Sequence, residues 1–187
     1  MEVTLGVSNR HIHLNKDDYN TLFGNEEMKV DKNLVQPNQY ASTLFVDIKT
    51  EKNTIKHVRV IGPIRKYTQL EISKSDAYYL GIDPPINDSG DLTNAAEVTV
   101  VGPNGNITKK IAIIATRHIH LSKKDVEEKQ LVGVKEVTVH FCSEKPTTFY
   151  NVKLKVEEEG VWELHLDLDD ANCALLKTGD VGIIDIK

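Results

Sequence analysis

The sequence predicts a mainly β protein made of barrels or sandwiches, with a few short helices and two related halves. Three observations lead there. Short β-branched segments recur along the whole chain, turn-forming residues separate them, and one ten-residue stretch recurs in closely related form. Strands of this length and spacing suit closed or stacked β architectures, not a parallel α/β sheet with longer helices between its strands.

In chain order, strands are expected over 3–7, 44–49, 56–61, 98–101, 111–115, 137–141, 152–156, 162–168 and 181–186, all rich in Val, Ile and Leu and often alternating. Turn chemistry at 51–53, 102–105, 157–160 and 178–180 separates several of them. Helices are expected to be short. Asn15 and Ser122 are N-cap types, each with an aspartate three residues on, Asp18 and Asp125. Two further short helices are expected over 73–80 and 168–176. The stretch 22–40 has little periodicity and many turn residues, and reads as a long connecting loop.

With 187 residues, the chain suits one large domain or two small ones. Its 23 basic and 28 acidic side chains give no global pull toward nucleic acid or a membrane surface. Cys142 and Cys173 fit neither a metal-ligand spacing nor a disulfide framework, so a reducing cytoplasm is expected. No apolar run approaches the roughly 20 residues of a membrane span. The start of the chain lacks a signal-peptide pattern.

The repeat aligns Asn9-Arg10-His11-Ile12-His13-Leu14-Asn15-Lys16-Asp17-Asp18 with Thr116-Arg117-His118-Ile119-His120-Leu121-Ser122-Lys123-Lys124-Asp125. A second pair aligns too: Leu70-Glu71 and then Asp76-Ala77, against Leu164-His165 and then Asp170-Ala171. Glu71 thereby takes the place of His165. The halves are expected to be 1–97 and 98–187, with boundaries blurred if the barrels exchange strands.

Residues i and i+2 of a strand share a face, so His11 and His13 converge while Ile12 is buried; His118, Ile119 and His120 behave alike. Neutral imidazoles suit zinc and other late divalent ions. Two metal sites are expected, His11–His13–Glu71 and His118–His120–His165. Each has three ligands and one open position, as in catalytic zinc sites. An isolated His-x-His is common; a duplicated Arg-His-Ile-His-Leu is not. His57 and His140 are left with packing or surface roles, and Arg10 and Arg117 with ion pairing on the face away from the histidines. Arg65, just ahead of Glu71, suits an oxyanion such as phosphate by bidentate hydrogen bonding, or is a solvated loop cation. Lys52, Lys56 and Arg59 suit the phosphates of a nucleotide-like ligand, or form an ordinary solvated face.

Several runs carry a closer likeness: Gly6-Val7-Ser8-Asn9-Arg10-His11-Ile12-His13-Leu14, Val58-Arg59-Val60-Ile61-Gly62-Pro63-Ile64-Arg65, Thr68-Gln69-Leu70-Glu71-Ile72-Ser73 and Ser89-Gly90-Asp91-Leu92. Ala115-Thr116-Arg117-His118-Ile119-His120, His165-Leu166-Asp167 and Asp170-Ala171-Asn172 continue it. In order, spacing and identity the sequence resembles the phosphate propanoyltransferase family, the phosphotransacylases first associated with propanediol-utilising microcompartments. The resemblance implies two β-barrel domains with the active site between them, and two zinc ions per chain. It implies reversible acyl transfer between CoA and phosphate, so acyl-CoA, CoA, phosphate and acyl phosphate are the expected small-molecule partners, and a homodimer the expected assembly. His11, His13 and Glu71 would hold the ion that meets the CoA sulfur, His118, His120 and His165 the second ion, and Arg65 would orient phosphate across that second ion. Gly6, Val7, Ser8, Lys52, Arg59 and Asn172 would contact CoA.

The sequence departs from the family after Lys124, where an expected Gly-Asp turn is missing. About ten residues precede His11, so the shell-targeting extension of microcompartment members is not seen and a free cytoplasmic enzyme is expected. Two rivals are a cupin-like metalloprotein and a scaffold with structural zinc. No glutamate follows His13 or His120 at cupin spacing, and three ligands per half do not close a structural site.

Overall fold

The computed structural model describes residues 1–186. The chain divides into two compact units: a central unit, Arg10–Ala115, and a terminal unit formed by Met1–Asn9 with Thr116–Lys187. The expected cut at 97/98 falls inside strand Ala96–Val101 of the central unit. The division runs between Asn9 and Arg10 and between Ala115 and Thr116, because strand pairing, not sequence order, decides which segments share a core.

The terminal unit holds β1 (Glu2–Ser8), then, after the central unit, β10 (His118–Ser122), α3 (Lys123–Glu128), β11 (Glu136–Phe141), β12 (Thr147–Glu157), β13 (Glu163–Asp167), α4 (Leu168–Cys173) and β14 (Val181–Asp185). Its strands close into a barrel in the order β1-β13-β10-β12-β11-β14. The central unit holds β2 (His11–His13), α1 (Lys16–Phe23), β3 (Val30–Asn33), β4 (Tyr40–Lys49), β5 (Thr54–Gly62), β6 (Gln69–Glu71), α2 (Lys74–Leu80), β7 (Ile86–Asn87), β8 (Ala96–Val101) and β9 (Asn106–Ala115). There β4-β5-β2-β6-β9-β8 also closes on itself, because β8 pairs with both β9 and β4; β3 and β7 add to β4 and β9.

Each His-x-His strand sits in the same setting. β2 runs parallel to β5 and antiparallel to β6; β10 runs parallel to β12 and antiparallel to β13. Alternation sends Ile12 and Ile119 into the two cores, both at 0% exposure. One row of the central core reads Val60–Ile12–Leu70–Ala112 across four strands. The matching terminal row reads Leu154–Ile119–Leu164–Leu5. The strand entering the first His pair, β1, belongs to the barrel of the second pair. The strand entering the second pair, β9, belongs to the barrel of the first.

The nine expected strands are all present, and so are the helices, except that α4 ends at Cys173. Asn15 accepts from the Asp18 N–H, and Ser73 and Ser122 each form a capping box with Asp76 and Asp125. The stretch 22–40 is not one loop: α1 runs to Phe23, and β3 lies within the stretch. All four residues of β3 are exposed, so no alternation marks it. β12 also runs on to Glu157, and the turn expected from 157 begins one residue later. Among the described residues, no helix is long and apolar enough to cross a membrane.

Asp18 pins α1 to the barrel. Its carboxylate accepts from Thr68 Oγ1 at 2.5 Å and from Lys109 Nζ at 2.6 Å, and Thr68 Oγ1 in turn accepts the Asn15 N–H at 3.0 Å. Asp18→Ala strands the buried Thr68 hydroxyl, while Lys109, nearly half exposed, returns to water. The expected cost is about 1–3 kcal/mol, read by urea unfolding.

Candidate functional site

The face of β2 turned away from the core carries His11 and His13, and the neighbouring strands supply what stands beside them. Across this face one row reads Arg59–His11–Glu71, so Glu71 is the direct cross-strand partner of His11. The terminal row reads Lys153–His118–His165–Gly6, so His165 holds the same position against His118. Both expected triads therefore assemble. In each, one donor atom per residue lies within 4.8 Å of the others, and among the described residues these are the two such groups.

Hydrogen bonds decide which ring nitrogens carry the protons. His13 Nδ1 faces the Ile61 carbonyl at 3.2 Å, and His118 Nδ1 faces the Thr116 carbonyl at 2.7 Å. His120 Nδ1 meets Glu157 Oε2 at 2.7 Å, and His165 Nε2 meets Glu163 Oε2 at 2.8 Å. Carbonyl and carboxylate oxygens only accept, so each of these nitrogens carries a proton, and in the neutral ring the other nitrogen keeps its lone pair. His118 Nε2 and His120 Nε2, both lone-pair nitrogens on this assignment, then stand 3.1 Å apart. Two facing lone pairs repel, and a cation shared between them removes the conflict. The donor chemistry thus fits a metal ion at the second triad, as facing imidazole and carboxylate atoms do at the first, with His11 Nε2 3.6 Å from Glu71 Oε2.

Charge follows the same logic. Burial, then the neighbouring His11 and Arg65, hold His13 well below the ordinary histidine value. Burial, then His165 and His118, lower His120 from 6.5 to about 3. The Glu157 contact is thus a neutral imidazole N–H donating to a carboxylate. Burial would raise the Glu157 carboxyl, but the bond from His120 and nearby Lys155 outweigh it and leave it lowered. Both histidines take a proton more readily in the unfolded chain. Metal-free protein should therefore hold its stability above about pH 6.5 and lose it as pH falls from there toward about 3. Urea unfolding of chelator-treated protein across that range checks this.

Arg65 lies on the segment between β5 and β6. Its N–H donates to the Leu14 carbonyl at 2.9 Å, tying it to the end of β2. Its half-buried guanidinium donates to Tyr67 Oη at 3.3 Å and Gln39 Oε1 at 3.2 Å, both neutral. Arg10 and Arg117 form ion pairs: Arg10 with Asp76, and Arg117 with Asp170 through Nε at 2.7 Å and Nη2 at 2.8 Å.

The expected CoA residues are spread over both units. Gly6, Val7 and Ser8 lie on β1 opposite His165, Leu166 and Asp167. Asn172 is exposed on α4. Lys52 and Arg59 engage different partners. Lys52 Nζ stands 5.0 Å from the centre of the Tyr78 ring, whereas Arg59 pairs with Asp31 at 2.6 Å and stacks on Phe45. His57 packs edge-on to Phe45, and His140 bridges Thr148 and Asp185.

Sequence reasoning missed the residues behind the triads. Glu157 reads as part of a turn, and Glu163 as one more polar strand position; its place two residues before His165 is the one local hint. Gln69, fully buried, donates to Glu71 Oε1 at 2.6 Å and accepts the Gly90 N–H at 2.7 Å. That bond explains why a Ser-Gly turn far along the chain bears on the first triad.

Two six-stranded barrels, each with a compact donor triad facing away from its core, define a two-centred β-barrel protein. A sequence model described as phosphate propanoyltransferase matches residues 4–177. A phosphate propanoyltransferase of Thermotoga maritima is 44% identical over 186 residues, covering 96% of this chain and 87% of the relative. One from Levilactobacillus brevis is 46% identical over 176 residues, covering 92% and 83%. One from Rhodopseudomonas palustris is 40% identical over 182 residues, covering 96% and 80%. The chain belongs to the phosphate propanoyltransferase family, a family of acyltransferases.

Proposed function

We propose that this protein moves a short acyl group reversibly between CoA and phosphate, with a zinc ion on each triad. The observation that carries the reading is the second triad, where Nε2 of His118 and Nε2 of His120, lone-pair nitrogens in the neutral rings, stand 3.1 Å apart. His11, His13 and Glu71 would hold one ion, and His118, His120 and His165 the other. When bound, zinc supplies Lewis acidity and a soft partner for a departing thiolate.

The protein's own groups do the rest. Arg65, with its backbone fixed and its side chain bonded to neutral partners, offers a planar fork to phosphate. A phosphate oxygen attacks the thioester carbonyl carbon; the C–S bond breaks as the C–O bond of the acyl phosphate forms, and the sulfur leaves as thiolate. Holding phosphate and thioester in place supplies much of the rate by proximity. Gly6, Val7 and Ser8 offer backbone along β1 to CoA, while Lys52, Arg59 and Asn172 offer side chains. Neither Cys142 nor Cys173, both exposed, has a part in this scheme.

The test is CoA release from acetyl-, propanoyl- and butanoyl-CoA by metal-replete protein. Release that depends on phosphate and yields acyl phosphate is expected. Absence of phosphate-dependent turnover with all three thioesters rejects the reading.

A further inference from the structure

The carboxylates of Glu157 and Glu163 lie behind the second triad; the donor atoms grouped within 4.8 Å take in three imidazoles and neither carboxylate. Glu163 is buried on β13, directly across from His120, and accepts from His165. Glu157 ends β12 and accepts from His120, with Lys155 Nζ 3.2 Å from its other oxygen. A carboxylate receiving an imidazole N–H fixes the tautomer and makes the opposite nitrogen a stronger donor. Room for this arrangement is built into the fold. A Cβ at Gly6 would stand 2.9 Å from Glu163 Oε1 and 3.1 Å from His165 Cδ2, so the glycine leaves both side chains their space.

The first triad is supported differently. Behind His13 stands the Ile61 backbone carbonyl, a weaker acceptor than a carboxylate, at the longer distance of 3.2 Å. The hydrogen bond that Glu71 takes from Gln69 draws electron density away from its ligand oxygens. Two imidazoles of the second triad are thus backed by carboxylates, and His13 of the first by a carbonyl.

Resting on the zinc reading above, we propose that Glu157 and Glu163 are positioning residues that make His118–His120–His165 the tighter of the two metal sites. The first triad then holds the more readily exchanged ion.

The experiment is zinc titration of metal-free protein against a chromophoric chelator. Wild-type protein should take up two ions of unlike affinity. His165→Ala should abolish the tighter and His13→Ala the weaker, which assigns them. Glu163→Gln and Glu157→Gln keep shape and an acceptor but lose the charge. Each should weaken the tighter ion about 10- to 100-fold and leave the weaker one unchanged. The unchanged weaker ion in the same samples separates this from a merely structural role, which would loosen both. Two equal affinities in wild type, or an unchanged tighter ion in both glutamine variants, overturn the inference. Wild-type protein that takes up no zinc overturns the zinc reading itself.

Discussion

Arg65→Ala is expected to lower kcat/KM for phosphate by about 10²- to 10³-fold while leaving zinc content intact. Three features argue for so large an effect. Its main chain is bonded to the Leu14 carbonyl, so the base of the side chain is fixed relative to the first triad. Its guanidinium is half-buried and bonded to Tyr67 and Gln39, neutral groups that orient it without cancelling its charge. Its field also reaches His13, where it helps to keep the imidazole neutral. A pre-oriented cation costs little reorganisation when an oxyanion arrives. Arg65→Lys keeps the charge but loses the planar fork, so it should recover only a small part of the loss. Wild-type phosphate kinetics in Arg65→Ala would remove this residue from the site.

His120→Ala should lose one of two zinc ions and more than about 100-fold in phosphate-dependent turnover. Loss of a supporting contact alone costs about 10- to 100-fold, and a direct ligand should cost more. His120 is 3% exposed and meets His118, His165 and Glu157, so truncation removes a donor and leaves a carboxylate without its N–H. His140→Ala is the control: that ring bridges Thr148 and Asp185 on the partly exposed side of β11, and its loss should change neither zinc content nor turnover. Equal loss in both variants would point to a general effect on folding.

The triads were readable because their first two members are local. His-x-His on a strand aims both rings to one face whatever the rest of the chain does, and a buried Ile between them fixes which face. Glu71 and His165 needed more, namely the alignment of the two halves; the pairing registers His11 to Glu71 and His118 to His165 put them where that alignment implied. Caps at Asn15 and Ser122 were readable for the same local reason.

What stayed hidden depends on register or lacks periodicity. Nothing in the residues of β1 states that it closes the terminal barrel and not the one containing β2. β3 shows no buried face at all. Glu157 sits 37 residues from the histidine it supports, a spacing that carries no pattern, while Glu163, two residues before His165 on the same strand, gives only a local hint.

The most direct test of the central claim is to strip the protein with a chelator, return zinc in measured steps, and follow phosphate-dependent CoA release in the same samples. Activity should be absent in the stripped protein and reach its full value at two zinc ions per chain. Full turnover in protein shown by elemental analysis to be metal-free would contradict it.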